Sequence, residues 1–305
     1  MNRHLVSLLF TLIILFSSFA TNAQIFKVEP LNNGINTSDY DEISPVVSID
    51  GKTLYFTRVG HPTFDRTLKL NGSDISILLN DNEYQKKLGS IYSNIAGSNV
   101  QNPESSKFNQ DIWMAESVFY SFEKISHPGY PLNNALPNSV SAMTPNGNEL
   151  IVINKFSQYG GLEKGFSVTR KTSDNLWTFP EPIGIRNYSN NNSDVNLAMS
   201  ADGNILILSM ERSDSFGEND LYICFKIGHN EWSEPQNLGS KVNTIYRETS
   251  PFLSEDGKRL FFASNRKGTL GGSDIFYLIR TGDNWDDWSV PYRFVEPINS
   301  YADDS

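Results

Sequence analysis

The chain has 305 residues, with 25 Lys+Arg against 35 Asp+Glu and a formal net charge of -10. That balance excludes a nucleic-acid partner, because phosphate binding needs clustered Lys and Arg and no such cluster occurs. Gly, Asn, Ser and Pro are spread along the whole length and apolar stripes at helical spacing are hard to find, so short strands joined by many turns are expected.

The first segment reads as a secretory signal peptide over residues 1–23. Arg3 and His4 precede an apolar run from Leu5 to Phe16, and the small residues Thr21 and Ala23 precede Gln24. The run is short for a membrane span, and no later stretch is long and apolar enough for one. No Cys follows the run to carry a lipid. An exported protein is therefore expected, in the periplasm, associated with the outer membrane, or secreted.

One pattern then recurs along the chain. SIDGKTLYF (48–56), TPNGNELIV (144–152), SADGNILIL (200–208) and SEDGKRLFF (254–262) each place Ser or Thr three residues before Gly. Asp50-Gly51, Asn146-Gly147, Asp202-Gly203 and Asp256-Gly257 supply the positive φ of a tight hairpin. The preceding hydroxyl can bond the turn backbone. A third strand opens at Asp111, Asp220 and Asp274, and the second copy has Gly165-Phe166-Ser167 there instead. Trp-x-x-Pro follows, at Trp177, Trp232 and Trp288, with Phe122 standing in the first copy. Each Trp is expected to pack between neighbouring units. Cys224, the single cysteine, lies in the alternating strand LYICFKI and reads as a packed small side chain.

The spacing makes the units equivalent. Gly203 to Asp220 and Gly257 to Asp274 are both 17 residues, and the turn glycines 147, 203 and 257 recur at 56 and 54. Gly51 to Asp111 is 60, so the first unit carries an insertion over about 59–110. Repeats over about 41–134, 135–190, 191–245 and 246–300 thus fill residues 24–305. A unit of four short antiparallel strands cannot bury both faces alone. Stacking such units radially solves the problem, so the expected fold is all-β: a β-propeller of four repeats of about 54 residues.

The run SPFLSEDGKRLFFASNRKGTLGGSDIF, followed by W-x-x-P, resembles the WD-like propeller repeats of bacterial envelope proteins. TolB carries related repeats, and the propeller region of OmpA-family envelope proteins is especially similar. The resemblance spans about Asp41 to Ser300. It implies a propeller without telling its activity, because propellers host many. OmpA-family proteins usually continue into a peptidoglycan-binding domain, which these residues do not contain. A stand-alone short propeller and a shortened longer one both stay open, as does closure of the ring with an outer strand from residues 24–40.

A functional site should break the repeat. Asp50, Asp202, Asp256, Asp111, Asp220 and Asp274 obey it and read as structural. Glu42, Asn138, Asp194 and Glu248 lie nine residues before each turn glycine and would face one mouth of the channel. They read either as local caps and ion pairs or as an oxygen-ligand site for a cation such as calcium. The insertion reads either as disordered decoration or as a partner-binding flap, whose deletion would abolish binding and spare folding. No nucleophile elbow, zinc-binding His pair or phosphate loop occurs. The expectation is a non-catalytic binding or scaffolding module with an envelope protein as partner. A carbohydrate-binding or glycoside-cleaving propeller is the alternative.

Overall fold

The computed structural model describes residues 29–119 and 121–305, so the leader expected over residues 1–23 lies outside the described residues. The first sheet contains β1 (Asp41–Val47) and β2 (Thr53–Val59). The insertion follows, with a hairpin of β3 (Lys69–Leu70) and β4 (Ser73–Asp74) and the helix α1 (Asp81–Ala96). β5 (Gln110–Val118) and β6 (Ser121–Ser126) complete the sheet in the order β1-β2-β5-β6.

The second sheet runs from β7 (Val140–Met143) through β8 (Glu149–Phe156) and β9 (Leu162–Arg170) to β10 (Glu181–Pro182). The chain then crosses to the third sheet. β11 (Gly184–Ile185) pairs in parallel there with a strand met later. β12 (Asn196–Met199), β13 (Ile205–Met210) and β14 (Asp220–Gly228) follow, with β15 (Glu231–Trp232) and β16 (Gln236–Asn237) both pairing with β14. The fourth sheet is β17 (Glu248–Leu253), β18 (Arg259–Ser264), β19 (Asp274–Ile279) and β20 (Tyr292–Arg293). Four small antiparallel sheets are thus arranged as a four-blade β-propeller.

The hairpin turns explain why the strands start where they do. Gly51, Gly147, Gly203 and Gly257 have φ of 70°, 72°, 71° and 64°, a region that costs any residue with a Cβ. Ser48, Ser200 and Ser254 each donate to the Asp two residues on, at 2.7, 2.5 and 2.6 Å. The same hydroxyls accept the N–H of Thr53, Ile205 and Arg259. These hydroxyls hold the Asp50, Asp202 and Asp256 carboxyls below the usual range.

Alternation along the second strand divides the core. Leu206 and Leu208 face the second blade, and Ile207 faces the fourth. Burying each such side chain contributes roughly 1.5–3 kcal/mol. Trp177, Trp232 and Trp288 fill the cores between blades one and two, two and three, and three and four. Each Trp lies between neighbouring blades, as expected, and it packs back against the preceding one.

The insertion is ordered rather than disordered decoration, and it carries a helix that neither reading of its sequence contained. Asn80 and Glu83 form a capping box, and Gly97 (φ 66°) ends α1 in the left-handed region. Tyr84, Leu88 and Tyr92, one helical turn apart, are fully buried with Phe64, Leu68 and Leu132 in the core of the first two blades. Tyr92 donates to the Ala135 carbonyl at 2.7 Å. The insertion belongs to the core.

Trp232→Ala should lower stability by about 3–5 kcal/mol, because it empties the space between two blades. Leu176→Ala, at a side chain 65% exposed, should cost less than about 0.5 kcal/mol. Urea unfolding followed by circular dichroism separates the two.

Candidate functional site

Glu42 and Glu248 occupy equivalent places and have equivalent partners. Glu248 accepts from the Thr244 N–H and hydroxyl at 2.9 and 2.7 Å, from Ser264 at 2.9 Å and from Arg266 at 3.0 Å. Glu42 accepts from the Thr37 N–H and hydroxyl at 3.1 and 2.9 Å and from Arg58 at 2.9 Å. Burial pushes the Glu248 carboxyl up, while Thr244 and Arg266 oppose that shift. Asn138 donates to the carbonyls of Asn134 and Leu136 and approaches Asp111. Asp194 is exposed and lies 3.7 Å from Arg247. The structure does not bring the four together as one ligand set. Among the described residues, no group of three or more His, Cys, Asp or Glu is placed to hold a metal ion.

The third-strand aspartates form a different pattern. Asp111, Asp220 and Asp274 are buried, and each accepts a loop N–H, from Asp65 at 2.6 Å, Phe216 at 2.8 Å and Leu270 at 3.0 Å. A donor further along the same blade meets the same oxygen in each: His127 at 2.8 Å, Asn237 at 2.8 Å and Arg293 at 3.2 Å. The carboxylate therefore ties the loop to the outer part of its blade. Burial pushes Asp111 and Asp220 up, and these hydrogen bonds pull back. The residue after each Asp is clamped by an asparagine. Asn133, Asn243 and Asn299 accept the N–H of Ile112, Leu221 and Ile275 and donate to the same residue's carbonyl. Sequence reasoning missed these clamps. Their signal was the Asn that recurs in each linker, in LNNA, KVNT and PINS.

The insertion builds the surface that breaks the repeat. A groove of about 500 Å³ runs along it, lined by Pro62, Gln85, Gln101, Asn102, Glu104 and Ser105 among others. Beside it a stack of rings covers the end of the first blade. Tyr40 meets His61 at 4.6 Å, His61 meets Trp113 at 4.9 Å, and Trp113 stacks on His127 at 4.5 Å. The Arg58 guanidinium lies 4.5 Å above the Trp113 ring. Burial, then the charges of Arg58 and His127, pushes His61 down. The Thr63 N–H donates to His61 Nδ1 at 3.2 Å.

Neither histidine completes a nucleophilic site. Asp111 orients His127, which has no hydroxyl at hydrogen-bond distance among the described residues. His61 lies 2.8 Å from the Thr63 hydroxyl but is bonded to no carboxylate. The Cys224 thiol is buried in the core of blades two and three and is pushed up to about 12 by burial. It fits the packing role read from its strand.

No family model matches the chain, and no curated protein matches it. Among solved structures, the chain is similar to TolB from Acinetobacter baumannii, at 13% identity and a TM-score of 0.40. That match covers 80% of this chain and 42% of the TolB chain, so this chain spans less than half of TolB. It is also similar to an endo-arabinase from Bacteroides thetaiotaomicron, at 14% identity and a TM-score of 0.42, covering 86% of this chain and 81% of that one. A putative TolB from Agrobacterium tumefaciens is 12% identical, with 83% and 80% of the two chains covered and a TM-score of 0.37.

Two substitutions test this geometry. His127→Ala should cost about 1–3 kcal/mol by leaving the buried Asp111 short of a donor. His127→Asn, the residue type that serves Asp220, should stay within about 1 kcal/mol of wild type. The second test uses His61, whose folded pKa lies below its ordinary 6.5. Its contribution to stability is full above pH 6.5 and is lost as pH falls through the lower folded value. The thermal midpoint should therefore drop less on acidification in His61→Gln than in wild type.

Proposed function

We propose that this chain is a non-catalytic binding or scaffolding propeller of the bacterial cell envelope. Its partner is another envelope protein, held on the insertion face. One observation carries this reading. The insertion that breaks the repeat is folded into the core through Tyr84, Leu88 and Tyr92, and it presents a polar groove beside the His61–Trp113–His127 stack. A rigid surface outside the repeat suits recognition, because little ordering entropy is lost on binding.

Location in the periplasm or at the outer membrane is supported by the leader-like residues 1–23 and by the likeness to OmpA-family propellers. No helix among the described residues is long and apolar enough to cross a membrane. A glycan-binding or glycoside-cleaving propeller is the second reading. It would be favoured by paired carboxylates among exposed rings. The groove lining holds one carboxylate, Glu104, and no aromatic ring.

Excising residues 62–106 is not a clean test, because Tyr84, Leu88 and Tyr92 would leave the core with them. The double variant Gln101→Arg, Asn102→Arg changes only exposed side chains of the groove. Wild type and variant serve as baits in a pull-down from cell-envelope extract. One protein retained by wild type and lost from a variant with an unchanged thermal midpoint is the expected result. Equal retention by both baits removes the groove as the site, and retention of glycan alone moves the second reading ahead.

A further inference from the structure

Each blade turns one face to its predecessor and one to its successor. The successor-facing row is Tyr55–Met114 in the first blade, Ala142–Ile151–Val168 in the second and Ala198–Ile207–Ile223 in the third. Tyr55, Ile151 and Ile207 lie in the cores shared with the next blade. In the fourth blade the row is Phe252–Phe261–Tyr277–Tyr292, one aromatic from every strand. Successive ring centroids are 6.0, 5.9 and 5.1 Å apart. Among the described residues no sheet covers this ladder, and Phe252 is 62% exposed and Tyr292 44%.

Residues 299–304 show what fits there. Asn299 clamps Ile275 as Asn243 clamps Leu221. The Ser300 N–H and hydroxyl donate to Asp304 at 2.6 and 3.0 Å, repeating the Thr244–Glu248 and Thr37–Glu42 contacts. The Asp304 N–H donates to the Ser273 carbonyl at 2.8 Å. The Glu248 N–H reaches Asn219, and the Asn138 N–H reaches Gln110, in the same way. Residue 304 therefore stands where the innermost strand of another blade begins.

We propose that the outer face of the fourth sheet is a docking surface for a further blade of this same repeat. That blade enters at residue 304 and lays its predecessor-facing Leu row on the aromatic ladder. The chemistry matches the three interfaces already present, where Leu150, Leu206 and Leu260 play that part. The first blade of this chain, or of a second copy, is a poor occupant. Its predecessor-facing Leu54, Phe56 and Ala115 are already packed with Ile35. The proposal does not rest on the insertion-face reading.

The test compares the full chain with one extended past Ser305 by a second copy of residues 250–304. The added copy carries Phe252→Ser, Tyr277→Ser and Tyr292→Ser, so that only the native ladder is probed. Hydroxyl-radical footprinting reads the side chains, and light scattering reads the mass. The extension should lower the reactivity of Phe252 and Tyr292 to that of the buried Tyr222. Phe261→Asp in the native blade should restore it. Unchanged reactivity, protection that survives Phe261→Asp, or an added copy that stays reactive throughout overturns the proposal. So does an unextended chain that is a dimer and becomes a monomer with Phe261→Asp, which gives the face to a second copy.

Discussion

A blade of four short strands has two apolar faces, and burying both requires a neighbour on each side. The rest of the structure depends on that constraint. It accounts for the alternation of Leu206, Ile207 and Leu208, which serve different cores one residue apart. It also accounts for the tryptophans, which close each inter-blade space from the outer side of the sheet. Where the neighbour is another blade, the face is dry. Where none is present, an aromatic ladder stays in contact with water.

Polar groups hold the ends of the blades in place. A buried carboxylate is costly unless its oxygens are bonded. Asp111, Asp220 and Asp274 each collect a loop N–H and a donor from their own blade on Oδ2, while Oδ1 of Asp220 and of Asp274 is buried without a hydrogen-bond partner. Because the requirement is only for a donor, three residue types satisfy it. Asn133, Asn243 and Asn299 act at the next residue, where one amide side chain satisfies both backbone groups. The glutamates at the strand starts likewise find a Thr and an Arg. In this repeat, polar residues at recurring positions connect elements, and recurrence alone does not mark a ligand site.

The insertion follows a different logic. It departs from the repeat in sequence, yet its helix is anchored by residues that complete the core of the first two blades. The outer surface of α1 and the following loop are thereby anchored without any share in the blade-to-blade packing. That freedom from the repeat is the reason we propose the groove as the recognition surface.

Four repeats, their turns, their length and the inter-blade place of the tryptophans were legible from the sequence, because they rest on local chemistry. A positive φ needs Gly51 or Gly257, and a hydroxyl three residues earlier stabilises the turn. The helix in the insertion was legible in part, through Asn80, Glu83 and Gly97. Its apolar residues, however, are too few and too scattered among polar ones to stand out. The partners of Glu42, Asn138 and Glu248, the joining of Asp111 to His127 and the neighbours of His61 were decided by tertiary structure alone. The Arg58–Glu42, Arg266–Glu248, Asp111–His127 and His61–Trp113 contacts join separate strands and loops, and a side chain's role as ligand, cap or ion pair depends on which groups the fold brings within hydrogen-bond distance.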